Sequence, residues 1–352
     1  MTINVGLVGY GLSASVFHGP IIQRIEGMRL KAIVSSNAEK VNRDYPDVEV
    51  FDDVDSMLLR GEIDLVVICT PNTTHYEFAK KAILAGKHVV VEKPFTVDAS
   101  EAEELISLAK AQGVNLSVYQ NRRWDNDFLT IKALLETGML GKLSTYEAHF
   151  DRFRPVIRDR WREKNLPGSG ILYDLGSHLI DQALNLFGMP QTLWADIRSE
   201  RDGGQTDDYF HLILGYPNLR VILHSGSLVK LAGPRFVLHG DRGSFVKYGL
   251  DPQEDQLKLG MHPGDSGWGE DRPELYGKLS TVVGGLSMEA IISTIPGSYE
   301  AFYQGMAAAI QSGAPVPVQA EQARDTIRII EYALQSHREQ RTIQIPSQEG
   351  AK

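Results

Sequence analysis

The feature that most constrains this fold is a glycine-rich turn near the start of the chain. The turn, Gly9-Tyr10-Gly11-Leu12-Ser13-Ala14, follows the apolar, strand-like residues 3–8 and opens the helix-like residues 13–26. Glycines at this place allow a tight turn, and the helix start directs backbone N–H groups at a pyrophosphate. The sequence therefore predicts an opening βαβ unit that binds a dinucleotide. A tight turn without a ligand is the alternative.

Strand-like and helix-like segments alternate up to about residue 121. Strands are predicted at residues 3–8, 30–35, 63–69, 88–92 and 114–119. Helices are predicted at residues 13–26, 76–85 and 100–112, the last with Ser100 as its N-cap and Glu103 as the capping-box partner. Because the connections are short, this alternation predicts a doubly wound parallel sheet. We assign residues 1–121 to this Rossmann domain.

The pattern changes after residue 122. Helices are predicted at residues 128–136, 172–187, 299–311 and 319–337, and strands at 143–153, 192–200, 207–215, 219–226, 234–240 and 243–248. In the first of these strands Tyr146, Ala148 and Phe150 share one face, and Glu147, His149 and Asp151 the other. Residues 250–296 are polar and are predicted as loop. Since 352 residues exceed one compact core, residues 122–352 are predicted as a second α/β domain with a mostly antiparallel open sheet.

Composition narrows the possible partners and locations. The formal net charge of −9 argues against nucleic acid as the main partner, because phosphate binding needs a basic field. The single cysteine, Cys69, lies in an apolar run and is expected in the core. The sequence has no apolar run of membrane-spanning length and no signal-peptide pattern, so a cytoplasmic location is expected. It also has no His/Cys cluster with metal-ligand spacing, so no metal is expected.

The end of the second strand bears on the choice of cofactor. Folds of this kind that bind NAD usually carry an acidic residue there, which bonds the ribose 2′-hydroxyl. This chain has Ser35-Ser36-Asn37 instead, followed by Lys40 and Arg43. Hydroxyls, an amide and cations suit a 2′-phosphate, so the sequence favours NADP over NAD, with NAD possible. The two cations could equally belong to a solvated helix face.

Three polar side chains are candidates for proton and hydride chemistry. Lys93 stands in Glu92-Lys93-Pro94, at the end of a predicted strand, where its ammonium could bond a reacting oxygen. Asp174 and His178 are spaced i, i+4 and would share a helix face. Imidazole titrates near neutral pH and suits proton transfer, although His178 could also simply pack or cap its helix. Together these residues predict a nicotinamide-dependent dehydrogenase acting on a hydroxyl-bearing carbon.

These motifs resemble the glucose–fructose oxidoreductase/inositol dehydrogenase (Gfo/Idh/MocA) family. Gly9-x-Gly11, Glu92-Lys93-Pro94 and Asp174-x-x-x-His178 match it in order and spacing over nearly the whole chain. Residues 119–125 and 150–155 look like the branch that includes NADP-dependent scyllo-inositol dehydrogenases. The resemblance implies that Lys93 holds the reacting hydroxyl, that His178 is the acid/base and that Asp174 positions the substrate. It also implies that the open sheet forms oligomer contacts, so we expect a homodimer or homotetramer.

The complete set of predicted site residues is larger. Cofactor binding is predicted for Gly9, Tyr10, Gly11, Leu12, Ser13, Ala14, Ser35, Ser36, Asn37, Lys40, Thr70, Pro71, Asn72, His75, Glu92, Lys93 and Gln120. Substrate contact is predicted for Asn121, Arg123, Trp124, Arg152 and Trp161. Asn72 could instead cap the helix that follows it.

Five arginines crowd together between residues 152 and 162 of this acidic protein. Arg152, Arg154, Arg158, Arg160 and Arg162 could read a carboxylated or phosphorylated substrate. We expect instead that several pair with carboxylates such as Asp151, Asp159 and Glu163. Trp161 could pack on the apolar face of a sugar ring or lie in an interface.

The expected function is the interconversion of a cyclic polyol or sugar hydroxyl and its ketone by an NADP-dependent enzyme. Two alternatives remain open. One is a sugar enzyme of the same fold with a tightly bound, recycled cofactor, acting as a sugar–sugar oxidoreductase or a glycosidase. The other is a non-catalytic nucleotide-binding regulator.

Overall fold

The computed structural model describes residues 2–346, which divide into two compact units. The first unit contains residues 2–124, 252–269 and 298–324, and the second contains 125–251, 270–297 and 325–346. The first break lies close to the boundary drawn from the sequence at residue 121. The return of residues 252–269 and 298–324 to the first unit was not apparent from the sequence, because no local pattern records which core a segment joins.

The first unit is built on a six-stranded parallel sheet of the Rossmann type. Its strands are β1 (Ile3–Val8), β2 (Met28–Val34), β3 (Glu49–Phe51), β4 (Leu65–Ile68), β5 (His88–Val91) and β6 (Leu116–Val118). They lie in the order β3-β2-β1-β4-β5-β6. Every residue of β4 is buried, which explains its uninterrupted apolar run. This order, which reverses beside β1, confirms the doubly wound fold predicted for this domain.

The second unit contains a nine-stranded mixed sheet. Its strands are β7 (Leu143–His149), β8 (Thr192–Arg198), β9 (Tyr209–Gly215), β10 (Arg220–Gly226), β11 (Phe236–Gly240), β12 (Gly243–Lys247), β13 (Gly277–Val283), β14 (Leu286–Ile292) and β15 (Ile343–Gln344). The order is β14-β13-β12-β11-β7-β10-β9-β8-β15, and only β7 and β10 pair in parallel. The mostly antiparallel sheet is therefore confirmed. The predicted alternation in β7 holds, because Tyr146 and Ala148 are buried whereas Glu147 and His149 are partly exposed.

Ten α-helices occur in the described part of the chain. They are α1 (Gly19–Ile22), α2 (Ala38–Asp44), α3 (Val54–Arg60), α4 (His75–Leu84), α5 (Ala99–Gln112), α6 (Asn126–Glu136), α7 (Ser177–Phe187), α8 (Gln253–Lys258), α9 (Glu300–Ser312) and α10 (Ala320–Glu339). Within residues 2–346, no helix is both long and apolar enough to cross a bilayer.

Two predicted helices have a different form at their beginning. The helix predicted at residues 13–26 is a π-helical turn, Ala14–His18, followed by the short α1. Pro20 lacks the N–H that a continuous α-helix needs at this point, and the N–H of Gly19 bonds the carbonyl of Ala14 instead. The helix predicted at residues 172–187 likewise begins as a π-helical turn, Leu172–Gly176, before α7.

Two further predictions were wrong. The N-cap of α5 is Asp98, whose side chain accepts from the N–H of Glu101, and Ser100 only donates its hydroxyl to Asp98. Residues 250–296 are not simply loop, since they contain α8 and the β13–β14 hairpin. The sequence did not predict this hairpin because most of its side chains are exposed. The alternation of apolar and polar residues that marks a half-buried strand is therefore weak.

Candidate active site

The glycine turn has the backbone shape that dinucleotide binding requires. Gly9 follows β1 with φ of +91°, a conformation that L side chains rarely adopt, and a Cβ there would come within 3.0 Å of Thr70. At Gly11 a Cβ would meet nothing within 4 Å, so the space beside the turn is open. Ala14 is fully buried, and Leu12 is exposed. The residues of this turn therefore fit a pyrophosphate approached closely by backbone N–H groups.

Glu92 anchors a buried polar network beneath this turn. The Ser13 hydroxyl donates to Glu92 Oε1, and His18 Nε2 lies 3.0 Å from the same oxygen. The Lys93 N–H donates to Glu92 Oε2 at 2.9 Å. His18 is fully buried, and its Nδ1 contacts the Tyr303 hydroxyl at 2.5 Å. Burial by itself raises the pKa of Glu92, but the bonds from His18, with the charge of Lys93 and the Ser13 hydroxyl, lower it to about 2.

Lys93 lies at the carboxyl end of β5, partly exposed, and is joined to Pro94 by a cis peptide bond. The backbone around it is fixed from two sides. Glu92 holds its N–H, and the buried His75 contacts the Pro94 carbonyl through Nδ1 at 2.9 Å. In parallel α/β sheets, ligands bind outside this end of the strands.

The side chain of His75 is buried and connects two loops at the edge of the sheet. Its Nε2 contacts the Thr70 carbonyl at 3.0 Å, so the imidazole ties the loop after β4 to the segment after β5. Burial lowers the pKa of His75. Asn72 is buried in the 3₁₀ turn, Asn72–Thr74, that precedes α4. His75 therefore helps to shape the loop after β4, whereas cofactor contact by Thr70, Pro71, Asn72 and His75 stays a prediction.

The segment predicted to recognise a 2′-phosphate is arranged around Tyr10. Lys40 Nζ stands 4.8 Å from the centroid of the Tyr10 ring, and the Tyr10 hydroxyl donates to Asp44 Oδ2 at 2.9 Å. Burial, with this bond, raises the pKa of Tyr10 above its usual range. Asn37 is the N-cap of α2, and its Oδ1 accepts from the Lys40 N–H, while Ser35 Oγ accepts from the Asn37 N–H just before the helix.

The segment after β6 is mostly buried. Gln120 is 2% exposed, and its Oε1 has no hydrogen-bond partner among residues 2–346. Asn121 and Arg123 are also buried, and Arg123 donates to Gln322 Oε1 at 2.8 Å. The Trp124 carbonyl accepts from Gln253 Nε2 and the Ser298 N–H. Arg123, predicted to contact substrate, is thus engaged within the first unit.

The second unit carries Asp174 and His178. Asp174 lies in the π-helical turn with its side chain 18% exposed, and His178 lies in the first turn of α7, 4% exposed. Two arginines flank Asp174: Arg162 Nε is 3.4 Å from Oδ1, and Arg152 NH1 is 3.7 Å from Oδ2. The sequence predicted that Asp174 and His178 lie one turn apart in a single α-helix. Asp174 instead lies in a π-helical turn, which has more residues per turn than an α-helix, so the regular i, i+4 spacing does not apply to this pair.

Asp174 lines a small, solvent-open cleft in the second unit. Its charged lining residues are Arg152, Arg154, Arg160, Arg162, Arg201, Glu163, Asp174, Asp207 and Asp208. Arg201 bonds both Glu163 and Asp208, and Arg160 also bonds Glu163 at 2.7 Å. Several of the five arginines and four carboxylates that line the cleft are therefore paired with one another.

The expected partners of the basic cluster are partly as predicted. Glu163 pairs with arginines, whereas Asp159 lies 2.9 Å from Lys164 and Asp151 contacts histidines. The side chain of Trp161 has the Arg162 guanidinium over its ring, at 4.5 Å from the ring centroid.

Asp207, which sequence reasoning missed, holds the segment that carries Asp174. Its Oδ2 accepts from the Leu172 N–H at 2.7 Å, and its carbonyl accepts from the Ile171 N–H. A Cβ at Gly170, whose φ is +90°, would collide with Asp207 Oδ1. Burial raises the pKa of Asp207 to about 6. Arg201, His18 and Tyr303 were missed as well, because each acts through partners distant in sequence.

Comparison with known proteins agrees with this architecture. A family model described as an oxidoreductase family NAD-binding Rossmann fold matches residues 3–120, and one described as the C-terminal α/β domain of that family matches residues 132–345. The scyllo-inositol 2-dehydrogenase (NADP⁺) IolW of Bacillus subtilis is 48% identical over 98% of this chain and 96% of its own length. An oxidoreductase structure from Bacillus subtilis has a TM-score of 0.95 at 48% identity, covering 98% of this chain and 99% of that one. One from Yersinia pestis has a TM-score of 0.94 at 45% identity, covering 99% and 98%.

The Rossmann sheet, its glycine turn and these matches define a nucleotide-binding oxidoreductase. The chain belongs to the Gfo/Idh/MocA family, whose two domain models together span most of it. The family resemblance drawn from the three motifs is therefore confirmed.

Proposed function

We propose that this protein is an NADP-dependent dehydrogenase that interconverts a hydroxyl of a cyclic polyol or sugar, such as scyllo-inositol, and the corresponding ketone. The observation that carries the proposal is Asp174, a partly exposed carboxylate flanked by Arg152 and Arg162, which can accept hydrogen bonds from the hydroxyls of a polyol. The near full-length similarity to a scyllo-inositol 2-dehydrogenase (NADP⁺) supports the same substrate class.

Lys93, His178 and Asp174 would each have a separate role in the reaction. When bound, the nicotinamide supplies the acceptor or donor of the hydride. Lys93 holds the reacting oxygen with its ammonium and stabilises negative charge that develops there. His178 takes the hydroxyl proton during oxidation and returns it during reduction. Asp174, fixed between Arg152 and Arg162, accepts hydrogen bonds from substrate hydroxyls and orients the sugar ring.

The preference for NADP rests on charge near the end of β2. The chain has no carboxylate at residues 35–37, and Lys40 lies against Tyr10 of the glycine turn. An ammonium there would attract a 2′-phosphate, and the absence of an acid removes a repulsion. Open space at Gly11 and the unbonded Oε1 of Gln120 are the features that fit bound cofactor.

An absorbance assay for reduced nicotinamide tests the proposal. Purified protein would be mixed with NADP⁺ or NAD⁺ and a panel of inositols, aldoses and sugar acids. We expect reduction of NADP⁺ with one polyol class, and little activity on sugar acids. If no polyol caused reduction of NADP⁺ by a protein shown to bind NADP⁺, this result would contradict the dehydrogenase proposal and favour an enzyme that recycles its cofactor.

Variants test the assigned roles. Lys93→Ala and His178→Ala should each lower kcat by about 100-fold or more, the usual scale for general acid/base groups. Two matched controls should keep kcat: Lys87→Ala, at a partly exposed position just before β5, and His239→Ala, at an exposed position of β11. Near-normal turnover in Lys93→Ala or His178→Ala would refute that residue's role.

We also propose that the protein forms a homodimer or homotetramer. Light scattering would measure its molar mass in solution and so test this.

A further inference from the structure

Three potential metal ligands meet on the partly exposed face of the nine-stranded sheet. His149 ends β7, and Asp151 follows two residues later on the same side of the chain. His224 of β10 is the register partner of His149 across the parallel β7–β10 pair. Because side chains two residues apart, and directly paired ones, share a sheet face, the topology brings together residues that lie 75 positions apart.

The ligand atoms are close enough to converge on one ion. One ligand atom from each of His149, Asp151 and His224 lies within 4.8 Å of the others. His149 Nδ1 is 3.5 Å from Asp151 Oδ2, and His224 Nδ1 is 2.8 Å from Asp151 Oδ1. Atoms bound about 2.1 Å from one ion stand about 3 to 3.5 Å apart, so only small side-chain adjustments are needed.

The Asp151 carboxylate lies between the two imidazoles. Its Oδ1 is 2.8 Å from His224 Nδ1 and also accepts from the Gly226 N–H at 3.0 Å. A second carboxylate stands behind the cluster, with Glu147 Oε2 3.6 Å from His149 Nε2. Metal-bound histidines commonly direct their other ring nitrogen to such a carboxylate, which fixes the ring and raises its basicity.

We propose that His149, Asp151 and His224 form a binding site for one first-row transition-metal dication per chain, of which Zn²⁺ is the representative probe. Two imidazole nitrogens and one carboxylate oxygen match the ligands these ions prefer, whereas Ca²⁺ and Mg²⁺ prefer all-oxygen sites. The side chains of the three residues are 25%, 8% and 16% exposed, so solvent can supply the remaining ligand.

Binding of Zn²⁺ to chelator-treated full-length protein tests the proposal. ZnCl₂ would be titrated in competition with a fluorescent zinc chelator, and CoCl₂ would be added separately to look for the visible absorption of a four-coordinate site. We expect one Zn²⁺ per chain, a Co²⁺ band, and no comparable binding of Ca²⁺ or Mg²⁺. Removing a ligand with His224→Gln or Asp151→Asn should weaken Zn²⁺ binding by at least about 10-fold and abolish the Co²⁺ band.

Two further variants keep the result interpretable. Glu147→Gln leaves all three ligands in place and should weaken Zn²⁺ binding about 10-fold, the effect of an outer-shell partner. His239→Gln removes an exposed histidine of β11 whose Nδ1 contacts Ser244, and should leave binding unchanged. Circular dichroism would confirm that each variant folds. Absence of stoichiometric Zn²⁺ binding, or binding that survives both His224→Gln and His149→Gln, would overturn the proposal.

Discussion

Replacing Glu92 with glutamine removes a carboxylate that joins the glycine turn to the backbone of Lys93. The Glu92 side chain is 13% exposed and accepts from the Ser13 hydroxyl and the Lys93 N–H, with His18 Nε2 at 3.0 Å. Burial opposes ionisation, but these contacts prevail, and they lower the pKa from 4.5 to about 2. Glu92→Gln keeps the size of the side chain and removes its charge.

The lowered pKa has a calculable effect on stability. A shift from 4.5 to about 2 corresponds to about 3 kcal/mol of unfolding free energy. Because the folded-state pKa is depressed, this contribution is fully present above about pH 5 and is lost as the pH falls toward 2. At pH 3.5 about 1 kcal/mol should already be lost in the wild type and not in Glu92→Gln.

The direct assay is carboxyl ¹³C NMR of glutamate-labelled protein, in which the spectrum of Glu92→Gln identifies the missing resonance. We expect Glu92 to remain ionised at pH 4, where an ordinary glutamate is largely protonated. Ser13→Ala, which removes one hydrogen bond, should raise the pKa without restoring the usual value. Half-protonation of Glu92 at or above pH 4 would refute the reasoning, as would a stability difference between wild type and Glu92→Gln that stays constant from pH 6 to 3.5.

Three other predictions follow from single residues. Arg201→Met removes the guanidinium that bonds the buried Asp208 and that shares the buried Glu163 with Arg160. Because the buried Asp208 loses this partner, the change should cost about 3 to 5 kcal/mol in denaturant titrations, whereas the exposed Arg198→Met should cost under about 1 kcal/mol; equal costs would contradict this. Asp207 has a pKa raised to about 6, so the folded state binds its proton more tightly. Asp207→Asn should therefore be more stable than wild type at pH 8, with the advantage fading toward pH 4 in thermal melts; a pH-independent difference would argue against it. Lys40→Ala should weaken NADP⁺ binding about 10-fold by calorimetry and leave NAD⁺ binding nearly unchanged; equal losses would remove Lys40 from 2′-phosphate recognition.

Local sequence patterns were sufficient where a segment's environment is set by its neighbours in the chain. The glycine turn after β1 and the continuous apolar run of β4 have strong local signals, and both were read correctly. The π-helical turns were not foreseen, because apolar periodicity over a few residues does not distinguish helix types. The β13–β14 hairpin was missed for a different reason, because most of its side chains are exposed and its apolar alternation is weak.

By itself, the sequence determined the fold class, the place of the cofactor turn, the family and the identity of Lys93, Asp174 and His178 as candidates, since each depends on residues close together in the chain. Only the tertiary structure decided which distant groups meet. It joined His18 and Tyr303 to Glu92, placed Asp207 under the turn that carries Asp174, and paired His149 with His224. Such contacts arise from strand register and core packing, and a single sequence carries no local signal of either.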